Sequence, residues 1–210
     1  MLLNDNQIRS KKLLLPFHNE QIKNNEKGVK QLSYGVSSFG YDISLSESDI
    51  KLFSNQLLIC PDVVDFLNFT SRPKKSELPI NPKDFNSLHL TDVERIVDDW
   101  GTFFILPGNS CALGVSQELF SIPENVLGVC VGKSTYARCG ILINVTPLEP
   151  GWKGYLTIEI SNTSPIPCRI YLNEGIAQIL FFEGSKPQIT YADRSGKYQQ
   201  QKKEVTLPRI

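Results

Sequence analysis

The chain has 210 residues, enough to bury a substantial core as one domain. Its 22 Lys and Arg residues balance 22 Asp and Glu, so there is no global positive field to gather nucleic acid, and a small ligand or a protein partner is the better expectation. Five cysteines without regular spacing suit reduced thiols in a cytoplasmic protein, and no stretch reaches the roughly 20 apolar residues that span a bilayer.

In chain order, the first predicted element is a short helix in NDNQIRSKK, with Asn4 as its N-cap. Its polar and charged residues precede only a short apolar run, which argues against a targeting leader. Pro16 and the polar run HNEQIKNNEKG then break the helical pattern. IKLFSNQLLIC, residues 50–60, reads as a strand, whereas residues 61–99 are proline-rich, charged and weakly periodic and read as a surface excursion. Seven further strands follow: GTFFIL, SCALGVSQ, VLGVCV, ILINV, YLTIEIS, CRIYL and IAQILFF, separated by the turn signals PGN, PEN, EPG and NEG. That spacing predicts a mainly β single domain, a distorted barrel or jelly roll with a short N-terminal helix. The final segment, residues 191–210, is polar and lacks apolar alternation, so a tail is expected that is mobile without ligand and folds over it on binding.

Three stretches carry chemistry. LGVCVGKST ends like a phosphate-binding P-loop, but Leu127 stands where the first glycine is required. Ser134 is followed by only TYARC before Gly140 and the strand-like ILINV, so no long helix opens there. The P-loop is rejected, yet Gly132, Lys133, Ser134, Thr135 and Arg138 remain a compact set of donors suited to a polyphosphate. Next, NVTPLEPGWKG reads as a hairpin turning at Pro150 and Gly151, a device for reading a base edge with backbone groups while Trp152 packs behind. In the strand after it, Glu159 lies on the face opposite Leu156, Ile158 and Ile160. Taken alone such a glutamate is read as solvent-exposed; beside the hairpin it becomes a candidate acid and base.

Zinc-dependent deamination needs H-x-E with P-C-x-x-C, and Pro167-Cys168 is followed by RIYL instead. His18 and His89 lie in polar segments and are expected at the surface.

The run from GKSTYARCG through LEPGWKGYLTIEISN to IAQILFFE, followed by YADRSGKYQQQ and VTLPR, resembles the dCTP deaminase family of the dUTPase-like superfamily, and SYGVSSFGYDISL extends the likeness back to about Ser33. The resemblance implies zinc-independent hydrolysis of dCTP to dUTP and ammonia, supplying dUTP for thymidylate synthesis. It implies magnesium carried on the triphosphate rather than a protein metal site, and a cytoplasmic homotrimer with sites at subunit boundaries. By position, Glu159 matches the catalytic acid and base, and Ser134 and Arg138 match the residues that organise the reacting water. Lys133, Thr135, Tyr136 and Ala137 fall in the same nucleotide-binding segment, and Thr157 and Ile158 precede the glutamate on the pyrimidine-binding strand. Gln178, Tyr191, Lys197 and Gln201 match nucleotide contacts from the last strand and the tail.

The chain departs from the family pattern at the hairpin, where VTPLEPGW replaces a longer turn and Glu149 stands where aspartate is common, and at the tail, where YQQQKKEVTLPR lacks two glycines. Members that also release pyrophosphate carry SSLGR where this chain has STYAR, so the added methyl of Ala137 and the stiffness of Pro147 imply a reaction that stops at dUTP. The rival readings are a dUTP diphosphatase using Glu149 or a bifunctional enzyme giving dUMP, and a non-catalytic nucleotide-binding protein. Glu159, Ser134 and Arg138 together speak against the last.

Overall fold

A computed structural model describes residues 1–53 and 80–209. Helix α1 (Asp5–Lys11) begins where Asn4 places it: Gln7 N donates to Asn4 Oδ1 at 3.1 Å and Asn4 N donates to Gln7 Oε1 at 3.0 Å, a reciprocal capping box. Lys12, in the left-handed region at φ 48°, ends it. There follow β1 (Leu14–Leu15), β2 (Ile22–Asn24), β3 (Lys30–Val36), β4 (Tyr41–Phe53), β5 (Leu90–Asp92), β6 (Ile96–Asp98), β7 (Gly101–Leu106), β8 (Ser110–Ser121) and β9 (Val126–Gly132). One helical turn, α2 (Ser134–Ala137), leads to β10 (Ile141–Asn144), β11 (Lys153–Asn162), β12 (Cys168–Tyr171) and β13 (Gly175–Glu183).

The larger sheet runs β10-β11-β8-β4-β13-β9, with β1, β3 and β5 paired at its flanks and β2 on β3. Its terminal strands β9 and β10 come into contact, so the sheet curls toward a barrel. A smaller sheet, β12-β7-β6, packs beside it, and each pairing between these strands is antiparallel. The predicted mainly β fold is thus found. The core holds Tyr41, Phe104, Phe120 and Phe181, all fully buried, and each side chain contributes about 2 kcal/mol by leaving water.

Some sequence expectations change. β2 lies inside the polar run that carried no strand signal. Within the expected surface excursion, Leu90–Asp92 and Ile96–Asp98 are strands, paired with β4 and β7. Three residues are too few for periodicity to register, and these strands exist because a neighbouring edge accepts them. Residues 61–79 of that excursion, and 54–60 of the strand expected over 50–60, lie outside the described residues. Nor is His89 at the surface: it is 4% exposed and packs against Phe85, while His18 is half-buried against Tyr34. Among the described residues no helix is long and apolar enough to cross a membrane.

Two irregularities set the strands that matter. The register of β11 against β8 shifts between Tyr155 and Thr157, and the Leu156 N–H freed there donates to Ser116 Oγ at 2.9 Å. On β8, Glu118 is fully buried and accepts from Ser44 N at 3.1 Å and Ser44 Oγ at 2.9 Å, tying β8 to β4. Burial pushes its carboxyl up to about 7, although the Ser44 bonds oppose the rise.

Candidate active site

The alternation predicted for β11 is observed: Leu156, Ile158 and Ile160 are buried in the core, while Thr157 and Glu159 face away from it. Glu159 is nevertheless not on an open face. Asn144 of β10 and Leu113 of β8 flank it in register. Its Oε2 is buried with no hydrogen-bond partner among the described residues, and desolvation pushes its carboxyl up to about 7. Cys130 of β9 lies close by, and its thiol is pushed up to about 12 by burial first and by the Glu159 charge second. A carboxyl that titrates near neutrality and has one free oxygen can both take and give a proton.

Glu159 lines a cavity of about 650 Å³. One wall is the hairpin, from Val145 to Glu149 with Trp152 behind. Pro150 and Gly151 form its turn: Trp152 N donates to Glu149 O at 3.0 Å, and Gly151 takes φ +82°, the conformation a type II turn requires at that position. Trp152 is 5% exposed, stacks obliquely near Phe120, and donates from Nε1 to Tyr198 O at 2.7 Å. The far wall is apolar, from Phe53, Ile80 and Phe85.

The C-terminal segment contributes Tyr191, Lys197, Tyr198, Gln201, Thr206 and Pro208 to the cavity lining. Tyr155 N donates to Gln201 O at 3.0 Å and Gln200 N to Lys153 O at 2.7 Å, so residues 200–201 pair with β11, and Gly154 and Gln201 form a parallel bridge. Thr206 N donates to Thr157 Oγ1 at 3.1 Å. Tyr191 N is held by Pro150 O, and the Tyr191 hydroxyl accepts from Tyr198 N at 2.9 Å. Each of these bonds is donated by a main-chain N–H, which is why side-chain periodicity gave no sign of them.

The sequence-predicted residues therefore fall into four places. Thr157, Glu159, Tyr191, Lys197 and Gln201 come together around the cavity. Ser134, Thr135, Ala137 and Arg138 do not line it: they sit exposed on α2 and just beyond it, with Arg138 Nη1 donating to Ser134 O at 2.9 Å. That turn leads into Ile141, which pairs with Asn162, three registers beyond Glu159 and so about 10 Å along the strand. Lys133, just past the end of β9, and Gln178 of β13 form a third group. Lys133 Nζ is 2.7 Å from Asp42 Oδ2 with both side chains largely buried, and Gln178 Nε2 donates to Ser37 Oγ at 2.7 Å. Two predicted residues have side chains turned into the protein. Ile158 is fully buried, and Tyr136 is 3% exposed with its hydroxyl accepting from Tyr171 N at 2.8 Å. Sequence reasoning missed Phe53, Phe85, Tyr198, Thr206 and Pro208 as cavity residues. The aromatic residues and VTLPR were visible as motifs, but nothing in their spacing said which wall they would form.

A family model described as dCTP deaminase-like matches residues 5–184. A dCTP deaminase of Campylobacter concisus is 50% identical over 201 residues, covering 95% of this chain and 91% of that protein. One of Chlamydia muridarum is 50% identical over 198 residues, covering 93% and 90%. The crystal structure of 2'-deoxycytidine 5'-triphosphate deaminase from Agrobacterium tumefaciens shares the fold with a TM-score of 0.52 at 18% identity, over 87% of this chain and 48% of that one. With a family match over most of its length and relatives at half identity, the chain belongs to the dCTP deaminase-like family.

Proposed function

We propose that the protein hydrolyses dCTP, presented as its magnesium complex, to dUTP and ammonia, with Glu159 as the proton-transfer residue. The observation that carries this reading is the Glu159 carboxyl, half-buried at the cavity wall, its Oε2 without a partner among the described residues and desolvation pushing it up to about 7. Water adds to C4 of the cytosine as Glu159 accepts one of its protons and delivers it to N3. The tetrahedral adduct then passes its remaining hydroxyl proton through Glu159 to the amino group, the C4–N4 bond breaks, and ammonia leaves as the C4 carbonyl forms. The hairpin main chain holds the base edge, and Tyr191, Lys197 and Gln201 approach from the tail.

Ser134 and Arg138 complete this chemistry only if they reach the cavity from a second chain, since within one chain they lie outside it. The functional unit in this reading is a homotrimer, cytoplasmic, with each site shared by two subunits. Arg138 braces Ser134 through its carbonyl and leaves the remaining guanidinium donors to orient the water.

The reaction ends at dUTP in this reading. Glu149, the carboxylate a diphosphatase would need in the hairpin, is ion-paired to Arg194. The decisive experiment is a dCTP reaction with magnesium run to completion, followed by phosphorus NMR and an ammonia assay. dUTP with one equivalent of ammonia is expected; dUMP with pyrophosphate defeats the single-step reading, and unchanged dCTP defeats the deaminase reading.

A further inference from the structure

The C-terminal segment is attached not only to β11 but also to β4. Between Leu45 and Ile50 the register of β4 against β8 shifts, so that Ser46, Glu47, Ser48 and Asp49 stand opposite the single Val115 and bulge outward. The bulge is braced internally by Ser48 N donating to Ser46 Oγ at 3.2 Å. Two of its side chains reach the tail. Ser48 Oγ donates to the Lys203 carbonyl at 3.2 Å, and Asp49 Oδ2 accepts the Val205 N–H at 2.8 Å. Asp49 is itself fixed from behind: its Oδ1 lies 3.2 Å from Lys51 Nζ, which is also held by Asp92 at 2.6 Å.

Val205 is only 8% exposed, and its neighbour Thr206 donates to Thr157 Oγ1 on the opposite side. Consecutive amides of the tail are therefore bonded to β4 and to β11 in turn, and Thr206 and Pro208 of the segment so held line the cavity. Thr157 is two residues from Glu159 on the same face, so the seating of the tail is transmitted directly to the strand that carries the carboxyl.

We propose that Asp49 is a positioning residue that, through the Val205 N–H and with Ser48 as a second contact, clasps the C-terminal segment over the cavity. Its kinetic consequence rests on the reading of the cavity as the dCTP site; the clasp itself does not. A hydrogen bond from a backbone amide to a charged carboxylate is among the stronger local anchors, and this one holds a segment that contributes little apolar surface of its own.

The test uses the full-length chain with Asp49→Ala, Asp49→Asn and Val205→Pro, the last removing the donated N–H. Amide hydrogen exchange is measured without nucleotide, alongside kcat and KM for dCTP. Asp49→Ala should speed exchange at Val205 and Thr206 by about tenfold or more while leaving the amides of β8 and β11 and the thermal midpoint in place. It should also lower kcat/KM by about tenfold. Asp49→Asn, whose amide oxygen still accepts but carries no charge, should rescue part of both, falling between wild type and Asp49→Ala in protection and in kcat/KM. The double variant Asp49→Ala/Val205→Pro should be no worse than Val205→Pro alone. Unchanged tail exchange in Asp49→Ala, failure of Asn to rescue, or additive losses in the double variant overturns the clasp. If the wild-type chain does not turn over dCTP, the exchange measurements still decide it, and if Asp49→Ala fails to fold, the Asn and Pro variants carry the same comparison.

Discussion

Glu159 shows what one residue's surroundings add to its identity. Its place on the polar face of β11 follows from alternation alone. Its burial follows from the approach of β9 and β10, which no local pattern contains, and burial is what lifts its carboxyl to about 7. Replacing it by glutamine removes the proton carrier while preserving shape, so deamination should fall about 10³-fold with dCTP binding retained, as measured by steady-state kinetics and calorimetric titration. The sign of the stability effect is equally definite. Because the folded carboxyl titrates above the ordinary value of 4.5, ionising it costs stability as pH rises from there through about 7. The wild-type thermal midpoint should therefore drop more between pH 5 and pH 8 than that of Glu159→Gln, with the buried Glu118 contributing the same fall to both. A steeper drop in the glutamine variant would contradict the desolvated environment assigned to Glu159.

At the scale of elements, the hairpin and the tail behave differently with respect to the sequence. Pro150, Gly151 and Trp152 announce their turn because a type II turn needs a residue tolerant of positive φ, and the turn forms as expected. The tail carries motifs but no periodicity, because its placement comes from main-chain bonds to Lys153 and Tyr155, from the Thr157 hydroxyl and from the Trp152 indole. Ending the chain after Gly196 removes Lys197, Gln201 and the Thr157 contact while leaving the core strands intact. The shortened protein should keep its circular dichroism spectrum and its oligomeric state by light scattering, and lose more than about tenfold in kcat/KM for dCTP. Normal turnover would mean that the segment closes the cavity without serving it. The GKST turn belongs to the same scale: it was legible as a cluster of donors, but its exposure away from Glu159 was not.

For the whole molecule, that separation is the central fact. Arg138 and Glu159 of one chain do not share a cavity, so the proposed site requires a neighbour to supply the turn. Co-expression of Arg138→Ala and Glu159→Gln chains, each inactive alone, should restore activity, because some interfaces then join an intact Glu159 to an intact Arg138. Random assembly of equal amounts into cyclic trimers gives roughly a quarter of the sites this composition. No recovery in mixed oligomers confirmed by mass spectrometry would place both residues in one chain's site.

The sequence by itself determined the strand alternation, the N-cap at Asn4, the turn at Pro150-Gly151 and the polar placement of Glu159, since each depends on residue type and near neighbours alone. Tertiary structure decided that Glu159 is desolvated, that Lys133 is bound to Asp42, that His89 is buried and that the polar tail is seated between β4 and β11. Those outcomes depend on groups far apart in the chain, brought together by the curling of a sheet whose end strands meet, and local periodicity holds no information about which distant strand will arrive.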